Sequence, residues 1–141
     1  MIAVATYDPE YVSKCRMVIN DRISAYRAVL AALRGSPPTL QKKLSRLEAS
    51  YFNDLVVVLE GCFVHRLRAK EGRDGNALNE VRLISSSLLE HGGYLTFEKG
   101  VRLDPYDSVL RMTEGQPINI TMSQFSSLAD AFFVEIESRY S

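Results

Sequence analysis

The chain has 141 residues and carries no net charge. Its 17 basic and 17 acidic residues cancel, so no overall field advertises a nucleic acid or a membrane as partner. It has only two cysteines, Cys15 and Cys62. They form no CxxC pair and no zinc cluster, and a reduced, buried state is expected of both. No stretch approaches the ~18 consecutive apolar residues of a membrane helix. The start, Met1-Ile-Ala-Val-Ala-Thr-Tyr7, lacks the basic head and full apolar core of a secretion signal. No Gly-Lys-Ser/Thr follows a glycine-rich turn, which removes a phosphate loop. No Glu-x-x-His pair is present, which removes the ligand motif of di-iron bundles. The reading that remains is a cytosolic protein with no cofactor.

What is present is mainly helical periodicity. Asp8 can cap a first helix, Pro9 suits its first position, and Glu10 favours the positive end of the dipole. Apolar residues then recur from Tyr11 and Val12 to Leu33, and Gly35 ends the run. Ser36 reads as the cap of a second helix. Its seam runs Leu40, Leu44, Leu47, Tyr51, Leu55, Val58, Cys62 and His65, with a break conceivable near Ser50–Asp54. From Tyr51 to Val64 the helix is apolar nearly all round, which places it at the centre of the fold. Gly72 and Gly75 bracket a turn, and Asn76 caps a third helix that stops at His91-Gly92-Gly93. Asp104-Pro105 and Gly115-Gln116-Pro117 interrupt residues 94–121, which read as short strands or loops. Thr121-Met-Ser-Gln124 has capping-box form. Phe125, Leu128, Ala129, Phe132, Phe133 and Ile136 then share one helical face, expected in the core, with part of it a candidate oligomer surface.

The expectation is a mainly α fold over residues 1–141. It is a four-helix bundle-like single domain, with helices about 9–34, 37–71, 77–91 and 122–139. A small β or irregular insertion separates the third and fourth. Long helices with apolar stripes favour a homodimer.

The polar groups concentrate in the hairpin from His65 to Arg82. Short connections make helices antiparallel neighbours, which sets Arg68 near Asn79 or Glu80 and His65 near Arg82 or Leu83. One reading is a solvated corner whose charges pair across the turn, each pair worth ~0–1 kcal/mol. The other is a recess that binds a partner protein or a small anionic ligand through His65, Arg68, Arg73, Asn76, Asn79, Glu80 and Arg82, helped by amides at the start of the third helix. The leading functional expectation is therefore a non-enzymatic binding or interaction module. The competing one is a small enzyme or metal-binding protein using His65 with Glu80, Asp74 or Cys62. Zinc usually needs at least three protein ligands, and only Cys62 and His65 are suitably spaced on one helix. The Lys42, Lys43, Arg46, Arg66, Lys70 and Arg73 cations have no interleaved aromatics, so the reading disfavours a nucleic-acid partner.

Residues 63–82, Phe-Val-His-Arg-Leu-Arg-x-Lys-Glu-Gly-x-Asp-Gly-Asn-x-Leu-Asn-Glu-Val-Arg, resemble a group of uncharacterised conserved actinobacterial proteins. Leu128-Ala-Asp-Ala-Phe-Phe-Val-Glu-Ile-Glu137 is similar to the end of the same group, so the likeness covers about residues 50–141. It implies a bacterial cytosolic protein and carries over no activity and no functional residue.

Overall fold

A computed structural model describes residues 2–141 and is mainly helical. Helix α1 spans Pro9–Ala32, α2 Pro38–Cys62, α3 Arg68–Glu71, α4 Ala77–Glu90 and α5 Met122–Arg139. Asp8 caps α1 by accepting the Glu10 amide at 2.9 Å. Gly35, at φ +80°, turns the chain into α2. Ser36 is not the cap expected of it. The N-cap position is Pro37, without a side-chain bond, and the Ser36 hydroxyl instead accepts from the Gln41 amide at 3.1 Å.

Helix α2 is continuous through Ser50–Asp54 but ends nine residues short of the expected Glu71. Two competing sets of bonds stop it. The Phe63 ring is buried against Phe132 and Phe133, and Arg66 turns inward rather than outward. The segment beyond Cys62 then exchanges backbone bonds with the N-terminal strand-like residues. Val4 N–H donates to His65 C=O, and Leu67 N–H donates to Val4 C=O, each at 2.8 Å. The single turn α3 follows, and Gly72 (φ +76°) closes it.

The core is the junction of α2, α4 and α5. Phe52, Val56, Leu59, Leu78, Val81, Leu83, Ile84, Phe125, Leu128 and Phe132 are fully buried there. The aromatic face of α5 is core throughout, so it offers no oligomer surface. Its capping box forms as the sequence requires, Thr121 and Gln124 each accepting the other's amide.

Residues 94–121 form no ladder among the described residues, only the isolated bridges Tyr94–Pro117 and Glu98–Val101. Leu95, Val101, Leu103, Met112, Ile118 and Ile120 are nonetheless buried. Polar side chains from the helices replace the missing sheet. Asn53 on α2 donates to Ile118 C=O at 2.9 Å and accepts Ile120 N–H at 3.1 Å. Glu80 on α4 accepts the Val109 and Leu110 amides, both at 2.9 Å. Buried backbone groups need partners, and these two side chains supply them where strand pairing does not. No helix among the described residues is long and apolar enough to cross a membrane.

Candidate functional site

Glu71, at the end of α3, is fully buried and lies between two arginines. Arg66 Nε donates to Glu71 Oε1 at 3.0 Å. The Arg66 fork also reaches Glu60 Oε1 at 3.0 Å, Phe63 C=O at 3.1 Å and Leu78 C=O at 3.2 Å. Arg82, on α4, approaches from the other side. Its Nε and Nη2 donate to Glu71 Oε2, and its Nη1 to Glu98. Asn79 completes the shell. Its amide donates to Glu71 Oε2 at 2.6 Å and to Gly72 C=O at 3.1 Å, and its oxygen accepts Gly75 N–H at 2.9 Å. No buried side-chain polar atom among the described residues is left without a partner.

The carboxylates in this network titrate in opposite directions. Burial raises Glu60, helped by the neighbouring Glu71 charge, and the Arg66 bond and charge with the lesser pull of Arg82 do not offset it. Burial also acts to raise Glu71, but the Arg82 bonds and the Arg66 and Arg82 charges outweigh it, so the net direction is down. Glu80 is raised by burial against the opposing pull of the Leu110 and Val109 amides. Loss of solvation disfavours a buried charge, and each added cation or donor favours it. Of the three, only Glu71 accepts hydrogen bonds from two guanidinium groups.

These contacts correct the picture of a solvated corner. Arg82, Asn79 and Glu80 are buried structural groups. Asn76 caps α4 by accepting the Leu78 and Asn79 amides and donates to Glu71 C=O. Arg139 of α5 clasps the same turn, donating from Nη1 to Glu71 C=O at 2.8 Å, and the Tyr140 hydroxyl donates to Leu67 C=O at 2.7 Å. Lys70 Nζ is taken by Ala5 C=O at 2.6 Å.

His65 does not continue the α2 seam. Its side chain is exposed beyond the end of that helix, with no hydrogen bond to Glu80, Asp74 or Cys62. Asp74 bonds Asn76 instead. Burial, with the neighbouring Cys15 thiol, pushes the Cys62 thiol up to about 11, which leaves it protonated and a poor nucleophile at neutral pH. Among the described residues no group of three or more His, Cys, Asp and Glu side chains is placed to hold a metal.

Arg68 and Arg73 are different. Both are exposed, and among the described residues neither side chain has a hydrogen bond or ion pair. With Arg82, Glu98 and Lys99 they line a cleft of about 280 Å³, floored by Gly72 and Val101. Lys99 is likewise exposed and unpaired among the described residues. Arg82 at the back of the cleft is held rigidly by Glu71 and Glu98. Among the described residues, three cations without a partner thus line one recess together with the Glu98 carboxylate. The notable residues that sequence reasoning missed are Arg66, Glu71, Glu98 and Lys99. Arg66 and Glu71 read as ordinary helix charges, and Glu98 and Lys99 lie in an insertion whose path has no sequence period.

The fold and the cleft define a helical protein with a cationic recess built over a buried ion network. Comparison with protein-family models, curated proteins and solved structures finds no match in any of the three.

Proposed function

We propose that the protein is a cytosolic binding module, and that the cleft between α3, α4 and residues 98–101 binds a small anion bearing a phosphate or carboxylate. The observation that carries this reading is the convergence of Arg68, Arg73 and Lys99, unpaired among the described residues, on a recess backed by the fixed Arg82. Guanidinium forks suit the paired oxygens of such groups. The polar lining and the small volume suit a compact anion better than an extended apolar cofactor. Glu98 is the one carboxylate lining the cleft and is held by Arg82, which favours binding over turnover.

The recess is open to solvent, which screens its charges, and binding is expected to be weak, with Kd on the order of 0.1–1 mM. Thermal unfolding with 10 mM inorganic pyrophosphate or citrate, against sodium chloride of equal ionic strength, tests it. Binding of that strength adds about 1.4–2.7 kcal/mol, enough to raise Tm by several degrees. The Arg68→Ala/Arg73→Ala variant should fold with an unchanged Tm and lose the ligand-dependent rise. An equal rise in that variant, or none beyond the salt control in the natural protein, overturns the proposal.

A further inference from the structure

Helices α1 and α2 form a long antiparallel hairpin. Its register is fixed where the Tyr51 hydroxyl donates to Arg22 C=O at 2.7 Å and Tyr11 to Cys62 C=O. One side of the hairpin carries α5. Arg16 stacks over Phe133 there, and Phe52 meets Phe125. The bridging tyrosines lie on the other side. Tyr11, Val18 and Val29 on α1 are seven and eleven residues apart, and so are Leu40, Leu47 and Val58 on α2. Either spacing returns to nearly the same direction on a helix of 3.6 residues per turn. All six side chains are 38–52% exposed. They make an apolar stripe along the hairpin that no described residue covers.

Charge along the same hairpin is split between its ends. Residues 22–47, around the tip, carry Arg22, Arg27, Arg34, Lys42, Lys43 and Arg46 and no acidic residue. All six are exposed, and no residue from 27 to 43 is buried. The other half carries Asp8, Glu10, Asp21, Glu48 and Asp54 against Lys14 and Arg16, with Arg16 paired to Glu137 of α5 and Glu60 turned inward.

We infer that this stripe is the contact face of a homodimer, in which a second copy of the chain lies antiparallel across it. A twofold axis near the middle of the hairpin sets each basic tip over the acidic half of its partner. The parallel arrangement would set tip on tip, like charge against like. A hairpin 24 residues long is roughly 36 Å by 1.5 Å per residue. Two helix diameters make it about 20 Å wide, so the face is ~700 Å², close to the ~800 Å² per partner of a standard interface. A polyanion would account for the tip but not for Tyr11, Val18 and Val58, which lie in the acidic half.

Analytical ultracentrifugation of the full chain from 1 to 100 µM, in 50 and 500 mM sodium chloride, tests the inference. The expected result is a reversible dimer whose Kd rises about tenfold or more with salt, because screening removes the tip-to-base attraction. Leu47→Ser/Val58→Ser, both at exposed positions, should give a folded monomer with unchanged circular dichroism. Arg34→Glu/Lys43→Glu should weaken the dimer at low salt and much less at high salt. A monomer at every concentration overturns the inference, and so does a dimer indifferent to the serine variant. A dimer that tightens with salt overturns the antiparallel arrangement. A monomer that binds a DNA duplex or phosphatidylserine vesicles through its tip reassigns the basic end to a polyanion and overturns the dimer.

Discussion

Replacing Glu71 with Gln removes one charge and almost no volume from the most buried ion network of the protein. In the native protein Glu71 Oε1 accepts from Arg66, while Oε2 accepts from Asn79 and twice from Arg82. A glutamine keeps one of these oxygens and turns the other into an NH₂ that meets a guanidinium donor. Arg66 keeps only Glu60 as counter-charge, and Arg82 only the partly exposed Glu98. Breaking a buried pair by removing one partner typically costs about 3–5 kcal/mol. For a domain of this size that corresponds to a Tm drop on the order of 10–20 °C. Urea unfolding at pH 7 should show the loss as a lower midpoint at unchanged slope. The pH dependence gives a second check. Glu71 is lowered in the folded state, so its contribution is fully present above the unfolded carboxylate value of about 4.3 and fades as pH falls through the folded value. The difference between natural protein and variant should therefore be largest at pH 6–8 and shrink below about pH 4. Glu60 and Glu80 are raised by burial. Each favours the fold at low pH and loses that advantage as pH rises through its folded value, but both are present in either protein and largely cancel in the difference. A loss under about 1 kcal/mol at pH 7, or a gap as large at pH 3.5 as at pH 7, would refute the reasoning.

Glu80→Ala strips the partner from two backbone amides, Val109 and Leu110, so a loss of about 2–4 kcal/mol is expected. Hydrogen exchange should quicken at those two amides more than in α4, and uniform quickening would argue that Glu80 does not anchor the segment. Gly75→Ala should cost more than the usual helix or turn substitution. Its φ is +81°, and an added Cβ would sit 2.9 Å from the Arg102 carbonyl oxygen, so a loss above about 1 kcal/mol is expected in chemical unfolding. A neutral result would mean that the chain at Arg102 yields without cost.

The helices were legible because their signals are local. Asp8-Pro9, Asn76 and Thr121-x-x-Gln124 cap where the sequence says they should, and the α5 face Phe125 to Ile136 packs as its spacing requires. The end of α2 was not legible. Apolar spacing through Cys62 and His65 continues the pattern, and no proline or well-placed glycine interrupts it. The helix stops because Val4, some sixty residues away, takes the backbone bonds at His65 and Leu67, and because Arg66 gains two carboxylates by turning in. Both causes are long-range. The same break displaced His65 from the expected site and put Arg66 in its place. The turn residues at 94–121 leave short strands and loops equally open, and the segment forms loops with isolated bridges; Glu98 and Lys99 reach the cleft along a path that the anchors Asn53 and Glu80 define.

A buried network of charges is a poor source of stability, since desolvation consumes much of the attraction and a well-packed apolar cluster often does as well. Its effect here is directional. Arg66 lies before α3, Glu71 ends it, and Arg82 lies on α4, so one carboxylate fixes the path of the chain through a turn containing Gly72 and Gly75. An apolar cluster has no such orientation, because its contacts are roughly isotropic. The orientation matters for the two residues the network leaves out. Arg68 projects from the turn that Glu71 closes, and Arg73 follows Gly72 directly, so their placement beside Arg82 depends on the network holding. Glu71→Gln should consequently weaken anion binding at Arg68 and Arg73 even under conditions where the variant remains folded. The structural part of the hairpin and the proposed binding part are thus adjacent layers of one arrangement, with Arg82 common to both.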